Sequence, residues 1–200
     1  MPPKIQFTKA DLLRTAFKLT RQQGIAAVNA RAIARELGCS TQPIFRAFRS
    51  MEDIKREVMR MSMDLYGMYV TRNSVSAERP YRGSGMAYIL FARDEPELFK
   101  LLFMRDRTDE TPIPEAEDST LDYVLDLVMK STGLDRDTAR QFHRHLRVYT
   151  HGLAVMIATH YISLDSAEAE QLLSAQYLAI RYLFGLAAPA EATRSEEHTS

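Results

Sequence analysis

Residues 30–48 read Ala-Arg-Ala-Ile-Ala-Arg-Glu-Leu-Gly-Cys-Ser-Thr-Gln-Pro-Ile-Phe-Arg-Ala-Phe, and no other stretch restricts the fold as strongly. Eight residues fit a short helix, Gly38 breaks it, and a second short helix begins at once. Two short helices joined through a glycine-bearing turn make a helix-turn-helix, whose second helix is the one that enters the DNA major groove. The segment sits near the N-terminus in basic surroundings. Residues 1–60 hold 12 Lys/Arg against 5 Asp/Glu, and residues 61–200 hold 14 against 21, so a net charge of zero conceals two oppositely charged parts. A basic part carrying a helix-turn-helix is the electrostatic footprint of a DNA binder, and the acidic remainder has no reason to approach phosphate.

The rest of the chain reads as all-α. Alternating runs are few, and no Asn-Gly or Asp-Gly hairpin turn occurs. Thr8 with Asp11 forms a capping-box pattern, Leu12, Leu13, Ala16, Phe17 and Thr20 make one helical face, and Gly24 ends it. Asn29 is placed to cap the second helix and Ser40 the third, with Pro43 in the third's first turn. Ser50 with Asp53 opens a fourth helix, whose Ile54, Val58, Met61, Leu65 and Met68 follow a four-three seam. Asn73 to Pro80 reads as a polar connection, Tyr81 to Arg93 and Pro96 to Phe103 as helices, and Thr108 to Asp118 as a loop. Leu121 to Lys130 is amphipathic, Asp135 caps what reads as the longest helix, to about Ile162, and Ser166 starts the last, to about Phe184. The expected division is residues 1–50 as a helix-turn-helix domain, 51–72 as a linking helix and 73–190 as a second helical domain. Arg194 to Ser200 reads as a non-native tail and carries no fold argument.

At this density the N-terminal residues resemble the DNA-binding domain of the TetR family of bacterial transcriptional regulators. The resemblance is carried by Ala16-Phe17, Gly24, Ile33-Ala34, Leu37-Gly38-Cys39-Ser40 and Ile44-Phe45-Arg46-Ala47-Phe48, followed by Ser50-Met51-Glu52-Asp53-Ile54. Further on, His151-Gly152-Leu153-Ala154 resembles a segment frequent in that family. The resemblance implies about nine helices, a ligand-binding C-terminal domain and a homodimer formed through the last two helices. It also marks two departures, Phe45 where the family carries Tyr and Met51 where it carries Lys. Both family side chains reach DNA phosphate, and Arg46, Arg49 and Lys55 are placed to compensate.

Candidate DNA-binding residues are therefore Arg31, Ser40, Thr41, Gln42, Phe45, Arg46, Arg49 and Lys55. Short polar side chains and Gln42 suit base edges, Arg46 suits guanine or phosphate, and Arg31 and Arg49 suit phosphate. Phe45 and Phe48 also read as residues that lock the recognition helix onto the first helix. In the C-terminal part Tyr88, Phe91, Phe103, Phe142, Tyr149, His151 and Met156 are the candidate ligand residues. Each singly fits ordinary core; together they suit an adaptable apolar pocket for an apolar or aromatic compound. Val148, Val155, Leu172, Leu173, Ile180, Leu183 and Phe184 are the candidate dimer residues, since apolar side chains wrap most of the last helix.

Other chemistries find little footing. His143, His145, His151 and His160 are read on one helix without the i, i+3 or i+4 spacing of metal ligands, so no metal and no cofactor is expected. No phosphate loop or nucleophile elbow occurs, so no enzyme is expected. The single cysteine, Cys39, excludes an internal disulfide and suits a reducing cytoplasm. The longest uncharged run, Val148 to Leu164, is too short and polar for a membrane span. The expected function is a cytoplasmic transcriptional repressor that binds a palindromic operator as a homodimer and is released by a small ligand. The alternative is a helical protein-interaction module with weak or vestigial DNA binding.

Overall fold

The computed structural model describes residues 7–77, 79–106, 108 and 119–187. Among them are nine α-helices, one 3-10 turn at Ile25–Ala27 and no strand. The helices are α1 (Lys9–Gln23), α2 (Ala30–Leu37), α3 (Gln42–Ala47), α4 (Met51–Ser76), α5 (Pro80–Asp94), α6 (Pro96–Phe103), α7 (Ser119–Thr132), α8 (Arg136–Ala158) and α9 (Ser166–Leu183). The tail from Arg194 and most of the loop read at 108–118 lie outside the described residues. No described helix is long and apolar enough to cross a membrane.

Local chemistry sets most helix starts. Asp11 N–H donates to Thr8 Oγ1 at 3.2 Å and Thr8 N–H donates to the Asp11 carboxylate at 2.9 Å, closing the capping box. The Thr8 hydroxyl and amide, then Arg14, hold the Asp11 carboxyl down to about 2. Asn29, Ser50 and Asp135 each accept first-turn backbone N–H groups, as their positions predict. Ser40 does not cap α3. Thr41 occupies that place with helical backbone angles and makes no side-chain cap bond. Side-chain capping needs extended backbone at the residue next to the helix, and Ser40 stands one residue too early.

The fourth helix departs from its predicted seam. It runs 26 residues to Ser76, halfway into the expected polar connection, and is longer than the 23-residue α8. Its buried ridge is Ile54, Val58, Ser62, Val70 and Ser74, while Met68 is 61% exposed. Each four-residue step on a helix advances roughly 40° around its axis. The buried face therefore turns as α4 passes from the N-terminal core to the C-terminal one. Asn73 and Ser74 stay helical because α5 packs closely there: a Cβ on Gly83 would lie 2.3 Å from the Asn73 carbonyl oxygen. The α8 helix also ends early, at Ala158, and His160 beyond it takes positive φ (58°), so His160 does not share that helix.

Two cores follow. The N-terminal core holds Leu12, Ala16, Leu19, Val28, Ile33, Ile44, Phe48, Ile54 and Val58, and it also takes in Leu101 from the distant α6. On the same short helix, Leu98, Phe99 and Leu102 enter a second core with Phe91 and Ala154. At ~25 cal/mol per Å² of apolar surface removed from water, such double burial anchors α6 on both sides.

Candidate nucleic-acid interface

The turn between α2 and α3 is built by Gly38, at φ 64° in the left-handed region. Its N–H reaches Arg35 O at 3.3 Å, and Cys39 N–H reaches Ala34 O at 3.0 Å, so the last carbonyls of α2 are satisfied while the chain reverses. Ile33 and Ile44, both essentially fully buried, pin the two helices to α1. Cys39 is half-buried in the turn and free.

This anchoring leaves a defined outer face on α3. Gln42, Phe45 and Arg46 are exposed on it, with Ser40 before it and Arg49 after it, and Thr41 is half-buried. Arg31 is exposed at the start of α2. Among the described residues Arg31, Arg46 and Arg49 make no ion pair, whereas Glu52 holds Lys55 at 3.0 Å and Glu36 holds Lys18 at 3.2 Å. The two aromatics of α3 divide. Phe48 is 6% exposed and does lock the helix to the core, but Phe45 is 55% exposed and locks nothing. Position 45 is one residue past the buried Ile44, which turns its ring outward. Met51 packs half-buried on the N-terminal core, so the thioether there serves packing.

The predicted ligand residues fall into three groups. Tyr88, Phe91, Phe103 and His151 come together with Tyr66 and Phe99 in one ring cluster. Centroid separations there are 5.0 Å for Tyr88–Phe103, 5.2 Å for Tyr88–Phe99 and 5.1 Å for Tyr66–Phe103. Within it Tyr88 Oη lies 2.9 Å from His151 Nδ1, joining α5 to α8. Burial first, and Arg147 second, lower the His151 imidazole pKa, which favours the neutral ring. Phe142 packs elsewhere, against Tyr81, Tyr177 and Phe184, and Tyr149 and Met156 border a cluster of Ile89, Leu153, Ile157 and Leu173. Beside Phe142, Tyr81 Oη meets His143 Nδ1 at 3.1 Å, and burial raises the Tyr81 phenol. An open surface depression lined by Met63, Gly67, Met68, Thr71 and Thr120 shares no residue with these groups. Tyr66 is a member of the ring cluster that is not among the predicted ligand residues. Its three-residue spacing from Tyr69 was the available signal.

The predicted dimer residues also divide. Leu173 and Ile180 are each 6% exposed within the protomer, and Val155 and Phe184 pack partly into its cores. The apolar surface left outward on α8 and α9 is Val148, Leu172, Leu178 and Leu183, with Tyr182.

One ion pair ties the two parts together. Arg21 of α1 donates through Nε to Glu95 Oε2 at 2.7 Å, with a second, short bond from Nη2 to Oε1. Glu95 is 6% exposed and stands immediately before α6. The hydrogen bond that Arg21 donates to Glu95 raises the Arg21 pKa further, keeping the guanidinium charged. A Cβ at position 24 would lie 2.8 Å from a Glu97 carboxylate oxygen, and Gly24, at φ 80°, ends α1.

Residues 12–58 match the family described as bacterial regulatory proteins, tetR family, and residues 81–180 match the tetracyclin repressor-like C-terminal domain. The fold is similar to the crystal structure of a TetR-like transcriptional regulator from Rhodococcus sp. RHA1. The TM-score is 0.65 at 15% identity, over 92% of this chain and 99% of that one. No curated protein matches the chain.

Proposed function

The chain belongs to the TetR family of bacterial regulatory proteins, and from that premise we propose that it is a homodimeric repressor whose two α3 helices read a palindromic operator. The observation that carries this reading is the outer face of α3, where Gln42, Phe45 and Arg46 are exposed on a helix held rigid by Ile44 and Phe48. Gln and Arg suit base edges, and an exposed phenyl without a hydroxyl suits the thymine methyl or the sugar. In a two-fold dimer the helices stand about one DNA turn apart, which sets the half-site spacing.

The test is duplex binding across a salt series with wild type and Arg46→Ala. Wild-type affinity should fall steeply with salt through counterion release. Arg46→Ala should lose about 1–3 kcal/mol at one base position per half-site. A wild type that binds no duplex would favour the protein-interaction reading.

The dimer rests on the outward apolar surface of α8 and α9. Leu183 is 63% exposed, and a carboxylate placed against its symmetry mate would be buried without a partner. Leu183→Glu should sediment as a monomer where wild type sediments as a dimer. A well-folded dimer of this variant would place the contact elsewhere.

Release follows from an apolar or aromatic ligand in the C-terminal domain. The Tyr88–His151 pair supplies the few polar groups that such a site needs for orientation. A ligand shifts the heads only by binding one dimer geometry better than the other. The α6 helix, gripping both cores and linked through Glu95 to Arg21, is the element suited to transmit that preference.

A further inference from the structure

We propose that Lys9, through its seat on Phe48, is a DNA phosphate contact that fixes the recognition helix on the duplex; this rests on the DNA-binding reading above. Lys9 Nζ stands 4.9 Å from the centroid of the Phe48 ring. Phe48 is the residue that closes α3, its N–H bonded to Ile44 O at 2.9 Å, and its ring is 6% exposed within the N-terminal core. A cation set on a rigid aromatic face is held electrostatically and loses little of its charge to the contact. The first turn of a helix favours a carboxylate rather than an ammonium, so α1 itself gives no reason for a lysine here. Asp11, the acid of that turn, is engaged by Thr8 and Arg14.

The surroundings indicate what the ammonium is for. Lys9 is exposed and makes no ion pair among the described residues. It sits on the same aromatic that ends α3, and Arg46 and Arg49, both exposed, flank that aromatic in sequence. Nearby, Phe45 lacks a hydroxyl, Met51 packs inward, and Glu52 neutralises Lys55. Lys9 thus supplies an unneutralised charge at the C-terminal end of the recognition helix. Contacts of this type set register and orientation and carry no sequence information.

The experiment measures binding to a random-sequence duplex across a salt series for wild type, Lys9→Met, Lys9→Arg and Phe48→Leu. One contact per head, two per dimer, lowers the slope of log affinity against log salt by roughly two in Lys9→Met. The gap from wild type then narrows about tenfold between about 50 and about 200 mM salt. Lys9→Arg should restore the slope. In Phe48→Leu, Lys9 keeps its charge and loses its platform. Adding Lys9→Met to that variant should therefore cost less than it does in wild type, and the upfield ring-current shift of the Lys9 ε-methylene protons should vanish. Lys9→Met binding with the wild-type slope would overturn the inference, showing that the lysine stem merely covers the ring. A wild type that binds no duplex would overturn the DNA-binding reading, and the inference with it, before any variant is compared.

Discussion

Gly83→Ala should destabilise the protein by about 3 kcal/mol, the upper end of ordinary overpacking. Two residues along the same helix, Gly85→Ala should be neutral or stabilising by up to about 1 kcal/mol. Helix propensity favours alanine equally at both sites, so surroundings decide the sign. A Cβ at Gly83 would meet the Asn73 carbonyl oxygen at 2.3 Å and the Ala77 methyl at 2.9 Å. The first of these is backbone, and relief requires α4 and α5 to part by roughly an ångström at their closest point. At Gly85 the nearest atom is a Leu173 methyl at 3.5 Å, an ordinary contact. Urea unfolding of both variants at one protein concentration checks the pair. Equal effects would show that the α4–α5 crossing is looser than its geometry.

Phe99→Ala should cost about 3–5 kcal/mol, the range for deleting a buried aromatic. For a chain of this length that lowers the melting temperature by roughly 10 °C. Phe99 is fully buried on α6, and its ring meets Tyr88 and Phe103 at 5.2 Å and His151 at 6.1 Å. Truncation opens a hole beside the Tyr88–His151 pair that its neighbours cannot collapse to fill, since both are held by each other. An apolar hole of that kind stays dry and accepts a small aromatic. Benzene or phenol should therefore raise the variant's melting temperature more than the wild type's. A loss below about 1.5 kcal/mol, typical of a volume-conserving change, would mean that the cluster repacks freely.

How much of this was legible in the sequence depends on the range of the interaction. Thr8 with Asp11, Asn29, Ser50 and Asp135 act within three residues, and the sequence places all of them. The helix-turn-helix is equally local, down to Gly38. Thr41 in place of Ser40 was lost because backbone geometry, and not residue type alone, decides which hydroxyl can cap. The end of α4 was lost because Asn73 and Ser74 look like loop residues until α5 is laid against them. Leu173 and Ile180, read as dimer positions, also pack into the protomer's own interior, which a list of apolar residues does not distinguish. The aromatic residues were identified singly, but Phe142 and Tyr88 belong to different clusters, and only the crossing of α5, α6 and α8 separates them. Arg21 and Glu95, 74 residues apart, carry no mutual signal in the chain at all.

The entry of Leu101 into the N-terminal core bears on how such a protein can be recombined. Four of the five helices that supply that core lie before residue 77, in one continuous stretch that looks like a detachable cassette, yet its last wall arrives from α6. A head excised at the end of α4 would leave Leu12 and its neighbours partly uncovered and Arg21 without Glu95. Grafted onto another regulator, it would inherit the host's helix in that place. The head can thus be exchanged cleanly only when α6 travels with it.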